Sequence, residues 1–583
     1  MPSPQLLAAG LLLLAPAALS QSTTLFSQTS SGVPGDGLSM LASISGDAHY
    51  LSFQSRSDDL LPLDGNGCED VFRSDRWTAA RELVSVSLFG TTGNGPSRQS
   101  QISREGRYVC FQSYASDLVP GDTNGESDIF VRDMLLGVTE RVSVSSSGSE
   151  SNGGSRYAYI SEDGRFVAFE SQASNLVPND VNGLKDVFLH DRATGKTRIL
   201  SLASDGSQAD DDVLCTSISP DGRYVGFSST ATNLVADDHN DAMDVFVCEV
   251  ATGTIVRAST NSLGREGHGL SADIDLSRDG HLATFYSLAE DLVPGDSNGV
   301  GDVFVKDLTS GVLTRVSVSS SGVQGNWNSY YPRISADGNC VVFFSLADTL
   351  VPGDTNWSSD DFLHDLASGT TERVSLAGNG HEARGIARFV SVCDDGRFVA
   401  FEDSAPNLAQ DDENATWDVF VRDRVGDFHS SCAGDGSQAV PCPCANTGAP
   451  GNGCGNSAHP EGARLEALGV AAADDVELVA SGMSGLLAVF LQADAQLATP
   501  VVFGRGLRCA GGHILRLYDV PSSASAARAP PAGAQSLRER ALQLGDAIPP
   551  GAFRWYQTWY RDPSGGSCGS SATNLSDALR IQW

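Results

Sequence analysis

One pattern recurs along this chain at a fixed interval of 58 residues: Ile44, Ile102, Ile160, Ile218, Leu276, Ile334 and Val392 each open a copy. Self-similarity at such a period marks a repeat architecture, in which no unit buries its apolar face alone and stacked neighbours complete the core. Phe53, Phe111, Phe169, Phe227, Phe285, Phe343 and Phe401 follow the starts at one fixed offset. A second series, Phe72, Phe130, Phe188, Phe246, Phe304, Phe362 and Phe420, follows at another, and Leu60, Leu118, Leu176, Leu234, Leu292, Leu350 and Leu408 at a third. Large apolar residues kept at one register through every copy read as a packing plan, so these are core candidates.

Each copy supplies four strand signals. In the third, a short strand ends at Ile160, the turn Glu162-Asp163-Gly164 leads into Arg165–Ser171, and after a loop come Asp186–Asp191 and Thr197–Leu202. Four strands per unit, with alternating apolar residues and Gly-marked turns, predict the blades of a β-propeller. The seventh copy stops near Arg424, before its fourth strand, and Thr24-Leu25-Phe26-Ser27-Gln28 aligns with Thr314-Arg315-Val316-Ser317-Val318. The expected fold is therefore all-β: a seven-bladed propeller closed by its own N-terminal strand, which removes two open sheet edges.

The residues Ser161, Asp163–Phe169 and Asp186–Asp191 match the S-x-D-G-R-x-I-A-F and D-I-Y-V-x-D stretches of TolB-like, WD-repeat-like propellers. The run 44–423 resembles that family throughout. The resemblance implies a propeller and little about activity. Peptidases of that family carry a separate α/β-hydrolase domain, for which the residues after the propeller are too few and too β-rich. Some similar propellers are metal-assisted polysaccharide lyases, but no recurring His/Arg cluster here supports that activity.

The strongest chemical signal lies in the long loop between the second and third strands, where Asp-x-Asn-x-x-x-Asp occurs in all seven copies. The sets are Asp64/Asn66/Asp70, Asp122/Asn124/Asp128, Asp180/Asn182/Asp186, Asp238/Asn240/Asp244, Asp296/Asn298/Asp302, Asp354/Asn356/Asp360 and Asp412/Asn414/Asp418. Oxygen ligands on alternate residues, closed by a further carboxylate, suit a hard cation such as Ca²⁺ if backbone carbonyls and water complete the shell. The same residues also build Asx turns and cap strands. Both readings stand on the sequence. One further acid ends the third strand of each copy (Asp75, Asp133, Asp191, Glu249, Asp307, Asp365 and Asp423) and reads as a turn former.

Nothing earns a catalytic assignment. Gly295-Asp296-Ser297-Asn298-Gly299 matches G-x-S-x-G, but it is the repeat loop and lacks the strand–turn–helix setting of a nucleophile elbow. His190 and His364 share a repeat position, and the other histidines are scattered. The formal charge is −34, from 38 Lys+Arg against 72 Asp+Glu. That balance works against nucleic acid and anionic membrane surfaces as partners. Residues 427–583 carry only −3 of it, so the acidity belongs to the repeats.

The run from Leu6 to Leu19, ending Ala18-Leu19-Ser20, reads as a secretory signal peptide, and no later stretch is apolar enough to span a membrane. Six of the 12 cysteines, Cys432, Cys442, Cys444, Cys454, Cys509 and Cys568, follow the repeats. In an exported chain they point to three disulfides rather than zinc. The six within the repeats (Cys68, Cys110, Cys215, Cys248, Cys340 and Cys393) read as small apolar side chains. The expected organisation is a signal peptide at 1–20, propeller at 21–426, Cys/Gly-rich linker at 427–460 and a small disulfide-rich antiparallel β-sandwich at 461–583. The aromatic run Phe553–Tyr560 reads as core on both faces, and Ser522–Ala534 as an exposed loop. Cys442-Pro443-Cys444, Leu507–Gly512 and Tyr560-Arg561-Asp562-Pro563 also resemble a Cys-rich C-terminal module of large exported bacterial proteins.

The expectation is a secreted, periplasmic or surface-bound binding or scaffold protein for a protein or glycan ligand, with Ca²⁺ as its candidate ion. The alternatives are a polysaccharide lyase or hydrolase with its site at the axial mouth, and a structural envelope protein. An enzyme requires blade-specific titratable groups converging at that mouth, because one active site must break the repeat symmetry.

Overall fold

The computed structural model describes 22–424, apart from 30–31, 63, 77–79, 379, 410–411, 413 and 415, and much of 428–582 outside 433–462 and 562–572. It divides into two units, Ser22–Arg424 and the remainder. The expected signal peptide lies outside the described residues, as do the side chains of all six C-terminal cysteines.

In the first unit the described residues form seven four-stranded antiparallel sheets. The first blade runs Ser39–Ile44, Tyr50–Ser55, Asp70–Asp75 and Arg81–Leu83, and the pattern repeats through Ala387–Val392, Phe398–Asp403 and Asp418–Asp423. That last set takes its outer strand from Ser22–Leu25, with Thr24 opposite Val421 and Leu25 opposite Phe420. Closure is also written in backbone hydrogen bonds near the axis. Asp47 N–H donates to the Arg104 carbonyl, Arg104 to Glu162, Glu162 to Pro220, Asp221 to Arg278, Arg278 to Ala336, Asp337 to Asp394 and Asp394 to Gly46, at 2.8–3.2 Å. The circuit returns to its origin. Pro220 has no N–H, so its neighbour Asp221 donates in its place.

The two Phe series meet as cross-strand pairs. Phe53 and Phe72 stack at 5.9 Å between centroids, and the other six pairs lie at 5.6–6.0 Å. Burying each ring fully contributes about 1.5–3 kcal/mol. The S-x-D-G-R turn has an equally local cause. Ser161 Oγ donates to Asp163 Oδ1 at 2.6 Å, and the N–H groups of Arg165 and Phe166 donate to Asp163 and Ser161. The acid ending the third strand does more than turn the chain: Asp191 accepts Ala193 N–H and also holds Arg165 in two hydrogen bonds of 2.9 and 2.8 Å.

The second unit holds a five-stranded and a three-stranded antiparallel sheet. Leu465, Leu478 and Ala480 of the smaller share one core with Phe490, Tyr556 and Leu579 of the larger. Two sheets around one core make a sandwich. Three details depart from expectation. Ala527–Ala529 forms a strand inside the stretch read as an exposed loop, and Leu537–Gln543 forms a helix with a capping box between Ser536 and Glu539. In Phe553–Arg561, Tyr556 and Tyr560 are fully buried while Trp555 and Trp559 are half-buried, so one face is core and the other partly covered.

Candidate functional site

The structure brings every Asp-x-Asn-x-x-x-Asp set together and spends most of its atoms on hydrogen bonds. Asn66 Oδ1 accepts Cys68 N–H at 2.8 Å, an Asx turn, and its Nδ2 donates to Asp70 Oδ2 at 2.7 Å and to the Gly93 carbonyl at 2.9 Å. The other six asparagines make the same turn at 2.8–3.2 Å. Asn124 accepts from Glu126, Asn182 from Leu184, Asn240 from Ala242, Asn298 from Val300, Asn356 from Ser358 and Asn414 from Thr416.

The amide half of each side chain points the other way, as a donor. Asn124, Asn182, Asn240, Asn298 and Asn356 donate Nδ2 to the closing Asp of their own set at 2.9–3.1 Å, and Asn414 donates to the Gly35 carbonyl at 2.9 Å. The turn is thus formed at Asn66, Asn124, Asn182, Asn240, Asn298, Asn356 and Asn414, each named above as a candidate cation ligand. Each Asn side-chain oxygen accepts the N–H of its own turn, and its N–H groups are aimed at the loop. Of the two sequence readings, the Asx turn describes the asparagines.

The closing Asp is engaged too. Asp70 Oδ1 accepts from Ser85 at 2.6 Å, and Asp128 and Asp186 accept from Ser143 and Ser201 at 2.5 Å. In the seventh set Ser27, from the N-terminal segment, donates to Asp418 at 2.5 Å.

What differs between blades is the counter-charge. Arg141 Nη1 lies 3.4, 3.1 and 2.8 Å from Asp122, Asp128 and Glu150. Arg257 holds Asp238, Asp244 and Glu266 at 3.3, 3.2 and 2.7 Å. Arg315 bridges Asp296 and Asp302, and Arg373 bridges Asp354, Asp360 and Glu382. The carboxylate oxygens of Asp122/Asp128/Glu150 and of Asp238/Asp244/Glu266 lie within 4.8 Å of one another, close enough to share a metal ion. The guanidinium is in contact with the same three side chains, so an incoming cation would have to displace it.

In blades one, three and seven the arginine position holds Leu83, Ile199 and Leu25, and the Glu position holds Thr92, Gln208 and Pro34. Blade five keeps Arg315 with Gln324 in place of the Glu, whereas these three blades lack both the arginine and the third acid. The acid pair that remains is uncompensated. Burial and then Asp70 push Asp64 up to about 7, and burial lifts Asp70, Asp186 and Asp418 to about 6. Gln208 takes over part of the role in blade three, donating to Asp180 at 2.9 Å.

The repeat symmetry is broken at the axis. One position of the innermost strands carries Ser43, Gln101, Tyr159, Ser217, Asp275, Arg333 and Ser391, all but Ser217 lining a cavity of about 180 Å³. Arg333 donates to Tyr159 OH at 3.1 Å, and Asp275 accepts from Ser217 Oγ at 2.9 Å and from Ile334 N–H at 3.0 Å. Burial raises the Asp275 carboxyl above its usual range, against the pull of Arg333. At the tight-turn mouth, Asp394 takes Arg104 at 2.6 Å and Arg278 at 2.5 Å, and Arg278 also pairs with Glu162. Gly46 makes room for this cluster: a Cβ there would fall 2.3 Å from Asp394 Oδ1. These blade-specific charges were not singled out from the sequence, because Arg104 and Asp394 meet only when the ring closes.

The residues lining the cavity include no histidine. His190 and His364 are buried, each bonded through Nδ1 to a threonine hydroxyl at 2.9 Å, and burial lowers both pKa values. Among the described cysteines, Cys110, Cys248, Cys340 and Cys393 are buried free thiols and Cys68 is half-buried. The lock at the mouth is partly exposed, so Asp394→Asn is expected to cost about 1 kcal/mol, and less in 1 M salt. Urea unfolding at low and high salt measures it.

No protein-family description matches the chain, and no curated protein does. Several solved structures are similar to it. TolB from Acinetobacter baumannii is 16% identical, with a TM-score of 0.32 over 58% of this chain and 64% of that one. Oligogalacturonate lyase from Vibrio parahaemolyticus is 10% identical, with a TM-score of 0.42 over 69% and 96%. A prolyl endopeptidase is 12% identical, with a TM-score of 0.42 over 78% and 55%. The chain thus spans 64% of the length of that TolB. On its own four-stranded sheets and its closed circuit of hydrogen bonds, the repeat region of this chain is a β-propeller.

Proposed function

We propose that this chain is an exported, non-catalytic binding protein that presents its ligand site on the long-loop face of the propeller. The observation that carries the reading is the state of the axis. Where an enzyme needs convergent groups free to move protons, Arg104, Asp394, Arg278 and Glu162 are paired with one another, and Asp275 is held by Ser217 and Ile334. The long-loop face carries exposed apolar side chains instead, Trp327 at 56% and Trp357 at 91%. Exposed aromatic surface on loops held by a rigid scaffold is a feature of interaction sites. Export rests on the apolar run from Leu6 to Leu19.

The test exposes the full chain to glycan and peptide arrays and, in parallel, to soluble polysaccharides. Binding without new reducing ends or unsaturated products supports the reading. Turnover of a polymer overturns it in favour of a lyase or hydrolase.

The calcium component of the reading belongs to blades one, three and seven, whose acid pairs have no arginine, and rests on their carboxylates alone. An ion at 100 times its dissociation constant adds about 2.7 kcal/mol per site. Melting in calcium is therefore expected to exceed melting in chelator, and the difference to vanish when Asp64, Asp180 and Asp412 are changed to Asn. Identical melts for the wild-type chain remove calcium from the reading.

A further inference from the structure

Each blade can be compared with six others, so a departure in one stands out. Several coincide at the joint between blades six and seven. Trp357 occupies the place of Gly67, Gly125, Gly183, Gly299 and Asp241, with φ at +56° beside +53° at Asp241. In that region the Cβ of any L-residue crowds the backbone, which glycine escapes. The indole is 91% exposed, so no packing within the chain offsets the strain. Strain of this kind is common at ligand sites.

Trp357 borders an open groove of about 870 Å³, whose other walls include His381, Arg384, Ile386 and Asn407. The floor is Gly385 and Ser404. Directly beneath it lies the carboxylate of Asp403: a Cβ on Gly385 would fall 2.1 Å from its Oδ1. Asp403 stands where the other six copies carry Ser, and it is fully buried. Its Oδ1 accepts Ala405 N–H at 2.8 Å, while its Oδ2 has no hydrogen-bond partner.

We propose that this groove binds a neutral glycan, with one sugar ring laid on the face of Trp357 and its hydroxyls turned to the polar walls and floor. This deepens the binding-protein reading and rests on it. An indole standing this far into solvent is a platform rather than a pocket. A peptide side chain that anchors binding needs a desolvated, enclosing pocket, whereas the C–H face of a sugar ring needs only a flat apolar partner. The charge of −34 on the whole chain disfavours anionic ligands.

The test uses the full-length chain on an array of neutral and acidic glycans and peptides, with Trp357→Gly and Trp357→Phe beside the wild type. Trp357→Gly restores the residue that suits the left-handed backbone, so its melting temperature is expected at or above that of the wild type. Its affinity for the neutral glycan is expected to fall at least tenfold, or about 1.4 kcal/mol. Trp357→Phe, which keeps a ring, is expected to recover most of the binding. Neutral-glycan binding that survives Trp357→Gly overturns the proposal. So does a wild-type chain that binds only peptides or only acidic glycans, although the binding-protein reading then stands. A wild-type chain that binds nothing, or that cleaves the glycan, removes both.

Discussion

Replacing Arg373 with Leu is expected to cost about 3–5 kcal/mol, because it leaves buried carboxylates without their counter-charge. The Arg373 side chain is 6% exposed and lies 3.2, 3.1 and 2.9 Å from Asp354, Asp360 and Glu382. Blades one, three and seven carry an aliphatic residue at this position without harm, but none of them carries the Glu. The double variant Arg373→Leu/Glu382→Gln should therefore recover about half the loss, the non-additivity expected of groups in one network. The pH dependence has a definite sign. Burial pushes Glu382 up, but the hydrogen bonds from Thr355 and Arg373 outweigh it and hold its pKa below the usual value. A depressed acid contributes stability above its unfolded pKa and loses it as pH falls through the folded one. The cost of Arg373→Leu should accordingly be larger at pH 7 than at pH 4. Denaturant unfolding at both values checks it, and equal costs would count against the ion-pair account.

Asp361→Val is expected to act in the opposite direction, stabilising the chain by about 1–3 kcal/mol, the cost of burying a polar group without a partner. Asp361 is fully buried and neither carboxylate oxygen has a hydrogen-bond partner. The six other blades carry Val71, Ile129, Val187, Val245, Val303 and Val419 there, so an apolar side chain fits the site. Burial, and then Asp403, Asp360 and Glu402, raise the Asp361 pKa well above the usual carboxylate value. The folded chain thus keeps a proton that the unfolded chain releases above about pH 4, and wild-type stability falls as pH rises from there. The gain from Asp361→Val should be larger at pH 8 than at pH 4. Thermal melts of both proteins at the two values read it directly, and a gap that does not widen contradicts the assignment.

The strands of the repeat region were legible because periodicity and turn chemistry are local. Phe53 and Phe72 stand at fixed offsets and stack across adjacent strands, and Ser161 and Asp163 bond within one turn. The helix Leu537–Gln543 was not read from the sequence, although Ser536 and Glu539 form its capping box, because the Ala/Pro-rich composition before it reads as loop. The loop acids were visible, but their chemistry was not. Alternate oxygens in a loop suit a cation and an Asx turn equally well on paper, and the N–H groups that reach Asn124 and Asn240 show that the turn is formed. Whether Asp128 meets a guanidinium depends on Arg141 from the next strand, and Asp70 meets Leu83 at that place.

The sequence by itself determined the repeat length, the strand-forming segments, the buried rings and the acidic loops, since each rests on residues within one copy. Only the tertiary structure decided which acids are neutralised, how the axis is closed and where the repeat symmetry breaks. Arg104 and Asp394 are 290 residues apart and meet across a channel that exists only when the circuit is complete. Trp357 and Ser404 come to line one groove only when blades six and seven pack together. Electrostatic pairing depends on distance in space, and in a closed ring that distance is unrelated to separation along the chain.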